Sequence, residues 1–493
     1  MFKQLIKYSL FLVLLISAKS YGADTKSFAY YDSLTYDLYI RQEWKKLTVT
    51  GKEALKDGYD YYYLRVRIGI AYYKLNNYMQ SITQFRKALQ FNSGDPTATG
   101  YLYNALLESG MREEAALFAC RQQTVLSAEG YKKKPLEFIY AEGGYTPDAI
   151  NGHQAIDLIG NDSIYGEEDT YADQTYFHAG ISLNVLPAFS CYLGYSNLWV
   201  NKENHFVGNT IINHLDSIVP MDYGKEYFYS SPGKIFDTLI PYKVEQHEFY
   251  IAASWIPMPN LSITPAFHYI SGTSQSFTSV LQLIQRIDTA YYLASDQTLH
   301  FFNNTVSRYV ISQQGINYRN YVISLAALKV WRNFSFGLYG TYGRLANIGK
   351  QVQAGVSATW YPFGNINLYA TTSLTGFANG SDKRLIYDQT ITLKIVPNLW
   401  LEGLLTLGNL SLYNEKNAFV AFNLADRIKI RKGANLVITL GRHIDLSLIY
   451  RFYTKEFDFF YYKKSPSEIR PILVTATTTY YNHSLLGGLK WKF

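Results

Sequence analysis

From Pro135 onward the sequence alternates apolar and polar residues one by one, and this alternation limits the fold more than any other feature of the chain. Val352, Ala354, Val356, Ala358 and Trp360 interleave with Gln351, Gln353, Gly355, Ser357 and Thr359. Successive side chains of a strand point to opposite faces, so a period of two describes a strand with one apolar face. The pattern returns in Phe177, Ala179, Ile181, Leu183 and Val185, in Phe334, Phe336 and Leu338, and in Leu446, Leu448, Tyr450 and Phe452. A single strand of this kind suits a soluble sandwich as well as a barrel.

The connections separate the two. Short turns rich in Pro, Asn and Gly fall at Pro187 and at 257–260, 332–333, 362–365, 397–398 and 442–444. Between them lie long segments at about 146–174, 201–243, 273–317 and 457–478. Short and long connections alternate, as they do in an outer-membrane barrel with tight turns at one rim and larger loops at the other. The expectation is an antiparallel transmembrane β-barrel over residues 135–493 with about 14 strands, within a range of 12–16. An even number returns both ends of the barrel to one rim. An extra hairpin at 417–431 would raise the count to sixteen.

Composition agrees with strands as the membrane-crossing elements. Hydrophobic residues make up 48% and charged residues 17%, yet after the first two dozen residues no run stays apolar for the roughly 18 that a membrane helix needs. The 46 Tyr, against 28 Phe and 7 Trp, suit positions that are apolar at one end and wet at the other. The net charge of +7 is dispersed, with one short run at Lys132, Lys133 and Lys134, so nucleic acid is not an expected partner. Cys120 and Cys191 fall in different domains, which makes a structural disulfide unexpected, and neither has metal-ligand spacing.

Residues 1–23 carry Lys3 and Lys7, the apolar run from Leu10 to Ile16, and then small residues Ser17, Ala18, Ser20, Gly22 and Ala23. That is the pattern of a secretory signal peptide cleaved after Ser20, Gly22 or Ala23. A short membrane anchor is the other reading, although the apolar run is too short to span.

Residues 28–130 repeat every 34, with units beginning near Phe28, Tyr62 and Pro96. Equivalent positions hold Leu34, Ile68 and Leu102, then Leu38, Tyr72 and Leu106, then Trp44, Tyr78 and Arg112, on helical spacing. The middle unit, with Ile68, Gly69, Tyr72, Tyr78, Phe85 and Ala88, resembles the tetratricopeptide repeat; Tyr103 and Gly51 depart from it. The fold class is therefore α+β multidomain, with α-helical tetratricopeptide-type repeats ahead of the barrel. The repeats would serve as a protein-docking groove or as a plain spacer.

The final segment places Leu485, Gly487, Leu489, Trp491 and Phe493 on one face and closes on an aromatic residue. It resembles the terminal strand signal read by the barrel-assembly machinery, with Gly488, Trp491 and Phe493 matching and Leu486 departing from it. The order of repeats and barrel resembles the outer-membrane exporters of exopolysaccharides, such as those of cellulose and poly-N-acetylglucosamine, and the YaiO-like outer-membrane proteins. That resemblance implies a Gram-negative outer membrane, repeats in the periplasm that dock periplasmic or inner-membrane proteins, and a barrel that passes a polysaccharide. Inward positions on the strand register include His178, Glu248, His268, Lys394, Glu402, Arg451 and Lys490, which would line the lumen with both signs of charge. A plugged barrel with a structural or adaptor role is the alternative.

An enzyme is not expected. No G-x-S-x-G, H-E-x-x-H or paired carboxylate motif appears, so no catalytic, cofactor or metal residues are assigned. Asp162, Glu167, Glu168, Asp169 and Asp173 form an acidic stretch that could hold a divalent cation, with a solvated loop the plainer reading.

Overall fold

The computed structural model describes residues 26–122, 134–149, 163–211, 214–221, 224–230, 233–293, 299–346, 349–423, 426–463 and 472–493, with side chains left out at 163–164, 209–235, 281 and 283–308. The signal-peptide segment 1–23 lies outside the described residues. The chain divides into two units, Met1–Tyr131 and Lys132–Phe493.

The first unit contains six described helices: α1 (Phe28–Ile40), α2 (Trp44–Lys56), α3 (Tyr62–Lys74), α4 (Tyr78–Phe91), α5 (Pro96–Glu108) and α6 (Arg112–Arg121). Odd helices start at Phe28, Tyr62 and Pro96, and even helices at Trp44, Tyr78 and Arg112, so the sequence period is a structural period. The starts are set by local chemistry. The side chains of Ser27, Asn77 and Asp95 accept from the backbone N–H groups of Tyr30, Gln80 and Ala98, and Pro96 follows its cap directly. Gly58 at φ 94° and Gly110 at φ 80° take the left-handed conformation just past α2 and α5, where a Cβ would be strained.

Leu47, Ala54, Leu64, Ile68, Phe85, Ala88 and Ala98 are all fully buried between the helices. A Cβ on Gly69 would come within 2.9 Å of the Phe85 ring, and one on Gly51 within 2.5 Å of Ile68. Gly51 is thus small because a side chain of the next unit occupies its space. No helix among the described residues is long and apolar enough to cross a membrane.

The second unit is a closed antiparallel barrel with fourteen wall strands. They are β1 (Leu136–Thr146), β2 (Ser163–Leu186), β3 (Phe189–Ile211), β6 (Gly233–Met258), β7 (Leu261–Leu293), β8 (Leu299–Trp331), β9 (Phe334–Arg344), β10 (Gln351–Trp360), β11 (Leu368–Asn379), β12 (Asp382–Val396), β13 (Leu399–Leu407), β16 (Arg427–Leu440), β17 (Ile444–Lys463) and β18 (Ile472–Lys492). Two small hairpins lie outside the wall, β4 (His214–Met221) with β5 (Gly224–Ser230) and β14 (Asn414–Glu415) with β15 (Val420–Ala421). β1 pairs with β18 from Phe138↔Lys492 to Tyr145↔Leu485, which closes the cylinder.

The six short turns all lie on one rim, here the near rim, together with the start of β1 and the end of β18. The opposite rim carries the remaining seven connections, and these range from the two-residue turn at 380–381 to the segment 212–232 between β3 and β6. Two sequence expectations change. The extra hairpin in the segment before β16 exists, as β14–β15, but it pairs only with itself and adds nothing to the wall. Much of the long segments at 201–243 and 273–317 is strand, since β7 and β8 run 33 residues each. About 9–11 residues cross a bilayer, so these strands continue far beyond it, and there both faces are wet and the apolar alternation disappears.

Candidate lumen site

The wall presents its apolar side outward. In β10, Val352 and Val356 are 51% and 52% exposed while Gln351 and Gln353 are 1% exposed. Leu338, Leu374, Leu385 and Ile391 continue the exposed apolar band, and Trp255, Trp331, Phe334, Trp360 and Trp491 form an aromatic belt along the near rim. Apolar outside, polar inside and an aromatic girdle are the lipid-facing anatomy of an outer-membrane β-barrel.

Inside, the inward side chains hold one another. His178 is fully buried, with Nδ1 2.9 Å from the Ser196 hydroxyl and Nε2 2.6 Å from the Tyr192 hydroxyl. His268 stands 3.2 Å from the Glu248 carboxylate, which also accepts from Gln246. Glu402 accepts from Asn435 and Thr392, and the other end of Asn435 accepts from Arg451. Lys394 lies 4.7 Å over the Trp400 ring and Lys490 lies 3.6 Å over the Phe138 ring, both toward the near rim. His178 and Tyr250 flank Phe419, whose ring centre is 5.0 Å from that of His178 and 5.1 Å from that of Tyr250, and Tyr250 in turn stands edge-on to His268.

Phe419 belongs to the segment between β13 and β16, which folds into the barrel. Leu410 and Ala418 are fully buried, and Leu412, Tyr413 and Phe422 nearly so, against inward Ile270, Val322, Phe377 and Ile386. Polar contacts ring the segment. Arg384 donates to the Ser411 hydroxyl at 2.9 Å and to its carbonyl at 2.6 Å, and Arg431 donates to both oxygens of Glu415 at 2.7 Å. His268 Nδ1 donates to the Ala418 carbonyl at 2.7 Å, the Tyr250 hydroxyl to the Asn417 carbonyl at 3.2 Å, and Asn423 to Gln246 at 2.8 Å. Lys416, Asn417 and Ala418 sit in succession at φ 53°, 56° and 64°. Such backbone costs about 1–2 kcal/mol per residue and persists only when its surroundings fix it.

These contacts set the apolar side of the segment against β7, β8, β11 and β12 and tie its polar groups to β6, β7, β12 and β16. Beside it remains a cavity of about 570 Å³ lined by residues of the segment and of β1, β2, β3, β6, β7, β8, β16, β17 and β18. Its wall carries Tyr140, Tyr176, Tyr318 and Tyr453, the carboxylates of Glu142, Glu248 and Glu415, and the cations Lys202, Arg431, Arg451 and Lys455. Sequence reasoning placed Glu248 and Arg451 inward; it missed Glu142, Glu415, Phe419 and Arg431. The signal available was the cluster of Asn and aromatic residues at 409–423, which shows no strand period.

The acidic stretch is already engaged. Asp169 accepts from Lys202 at 2.5 Å and from the Tyr242 hydroxyl at 2.8 Å, Asp173 from Asn201 at 2.7 Å, and Glu167 from Asn204 at 3.3 Å. Asp162 lies outside the described residues. Among the described residues no group of three His, Cys, Asp or Glu side chains could hold a metal ion. Cys120 and Cys191 are both free thiols.

No family model matches the chain, and no curated protein does. Solved structures that resemble it include the outer membrane protein Omp33 of Acinetobacter baumannii, 9% identical with a TM-score of 0.29 over 73% of this chain and 100% of that one. The toluene transporter TbuX of Ralstonia pickettii is 7% identical with a TM-score of 0.36, over 73% of this chain and 90% of that one. The translocator domain of the autotransporter NalP from Neisseria meningitidis is 9% identical with a TM-score of 0.27, over 79% and 100%. Likeness at this level carries no argument about what passes through or binds.

Proposed function

We propose that the chain is an outer-membrane conduit for a surface polysaccharide or similar polymer, narrowed by the inward segment 408–423 to a passage of single-chain width. The observation that carries this reading is the uneven packing of the segment: its apolar residues pack against β7, β8, β11 and β12, and beside it remains a cavity whose wall carries tyrosines and charges of both signs. Sugars stack their apolar faces on aromatic rings and hydrogen-bond sideways, and tyrosine provides for both. In this reading the near rim faces the periplasm, the helical repeats lie there and dock periplasmic or inner-membrane proteins, and barrel lipid contacts follow the apolar band. The chain performs no chemistry on what it passes.

The test is planar-bilayer recording of the full chain beside a variant whose residues 409–423 are replaced by a short Gly-Ser turn. The wild type should conduct weakly, and the variant several-fold more, with oligosaccharides blocking the current. A second reading, a plugged barrel with a structural or adaptor role, is favoured by the depth of the apolar packing around Leu410, Tyr413 and Ala418. Absence of conductance in both proteins, with unchanged surface polysaccharide in a deletion strain, selects it.

A further inference from the structure

At the far rim, opposite the near one, part of the wall turns back into the barrel. Among the described residues β6 pairs with β7 only as far as Glu245↔Thr273, and β9 with β8 only as far as Arg344↔Tyr321. Beyond these points β7 and β8 go on pairing with each other, from Ser274↔Ile316 to Leu293↔Leu299, as a two-stranded ribbon. Its position follows from which faces meet. Phe277 and Tyr309 share the face of β7 and β8 that carries Phe267 and Ile323, which lie outward and are 40% and 50% exposed lower down. Phe206 and Tyr242 belong to the inward face of β3 and β6, with Ser196 and Tyr250. Yet the Phe277 ring centre lies 6.2 Å from that of Phe206 and 5.2 Å from that of Tyr242, and Tyr309 stacks on Tyr165 of β2 at 4.9 Å. The outward face of the ribbon meets the inward face of the wall because the ribbon has passed to the lumen side of β6, β3 and β2. Phe206 is fully buried beneath it.

We propose that this ribbon is a lid over the far end of the cavity, hinged where its pairing to β6 and β9 stops and latched by Phe277 and Tyr309. Lys202 pairs with Tyr242 across β3 and β6 and lines the cavity, so the latch stands just beyond the cavity's far end. Ser274, Ile316 and Tyr318, at the foot of the ribbon, line the same cavity. Side-chain packing holds the closed ribbon, and it gives way at a smaller cost than the backbone ladders of the wall below. The other face of the ribbon is exposed at Thr278, Val280, Ser312 and Gln314. Swung away, the ribbon opens the cavity to the far side whatever enters it. The conduit reading gives that opening a use; the packing of the ribbon carries the lid.

Thiol labelling of the full chain in detergent, with a bulky maleimide, tests the lid. The reporter is Val200→Cys, on the cavity wall and 6% exposed, in a chain that also carries Cys120→Ser and Cys191→Ser. Labelling should be slow, and entry from the near rim, common to every variant, sets its baseline. Phe277→Ala removes one of the two latch rings and should raise the rate about tenfold, the population shift expected from losing a packed aromatic contact. Gly208→Leu should do the same by addition, since a Cβ there would come within 2.7 Å of the Tyr309 ring. This second variant adds a side chain to a strand without emptying a packed site, so it decides the question if Phe277→Ala does not fold. The mobility shift of an unheated gel reads folding in each. Val280→Ala, on the exposed face of the ribbon, should leave the rate unchanged. An unchanged rate in either folded latch variant, or an equal rise in Val280→Ala, overturns the lid and leaves the conduit reading intact. A tenfold rise in a protein that shows no conductance upholds the lid and defeats the conduit.

Discussion

The two units of this chain differ in what they bury. Between the helices of the first unit Leu47, Ala54, Ile68 and Phe85 are inaccessible, whereas the inaccessible positions of the barrel include His178, Asn320, Thr406 and Asn482. Conversely, Leu338, Val356 and Leu385 stand more than half exposed on the barrel surface. Each unit has one apolar and one polar side, and the surrounding solvent decides which side turns inward. Water pushes apolar side chains together among the helices, while lipid accepts them and leaves the polar ones to satisfy one another inside.

Five substitutions would break or sharpen that contrast. Phe85→Ala should cost about 3–5 kcal/mol, because it empties a fully packed site among the helices. Thermal melting of the full chain, followed by helical circular dichroism, reads this out; a loss below about 1 kcal/mol would mean that the repeats are not held by their core. In the barrel the sign reverses. Val356→Arg should cost about 2–4 kcal/mol if the residue lies at mid-bilayer, and the neighbouring inward Ser357→Arg much less. Equal losses in refolding yield into lipid vesicles would shift the register of β10 by one residue.

The inward segment shares features of both units, with an apolar core and charged anchors. Glu415→Gln removes the nearer of the two carboxylates that meet Arg431, itself 3% exposed, and should cost about 1–3 kcal/mol, with noisier or larger bilayer currents. Unchanged stability and current would show that the apolar contacts alone hold the segment. The smallest effect belongs to the helical surface. Hydrogen bonds from Arg65 hold the Asp60 carboxyl below the usual carboxylate range. A depressed folded value adds stability that is present above the unfolded pKa of about 4 and is lost as pH falls further. The pair is partly exposed, so the loss should stay under about 1 kcal/mol and vanish in Asp60→Asn. A melting profile of that variant with the same acid slope as wild type would assign the slope elsewhere.

Much of the fold is legible in local sequence. The helix starts at Phe28, Tyr62 and Pro96 follow from a repeat that each unit must keep in order to pack on the next. Near-rim turns at 187–188, 332–333 and 397–398 follow from Pro, Asn and Arg between apolar alternations, where a hairpin must reverse within two residues. The inward side of His178, Glu248 and Arg451 follows from the period of two. Their partners do not, since Ser196, His268 and Asn435 lie on neighbouring strands whose register is set by the whole cylinder.

By itself, the sequence determined two units, the repeat in the first, and in the second an even barrel with its apolar face outward, because each of these depends on spacing within a few residues. Only the tertiary structure decided that 408–423 turns inward and where the strands end. The segment has no period of its own, and its hold comes from Gln246, His268, Thr341, Arg384 and Arg431, which are distant in sequence and meet only once the barrel closes. The strands run on past the membrane for a related reason. There lipid no longer demands alternation, and only pairing with the next strand keeps the backbone extended.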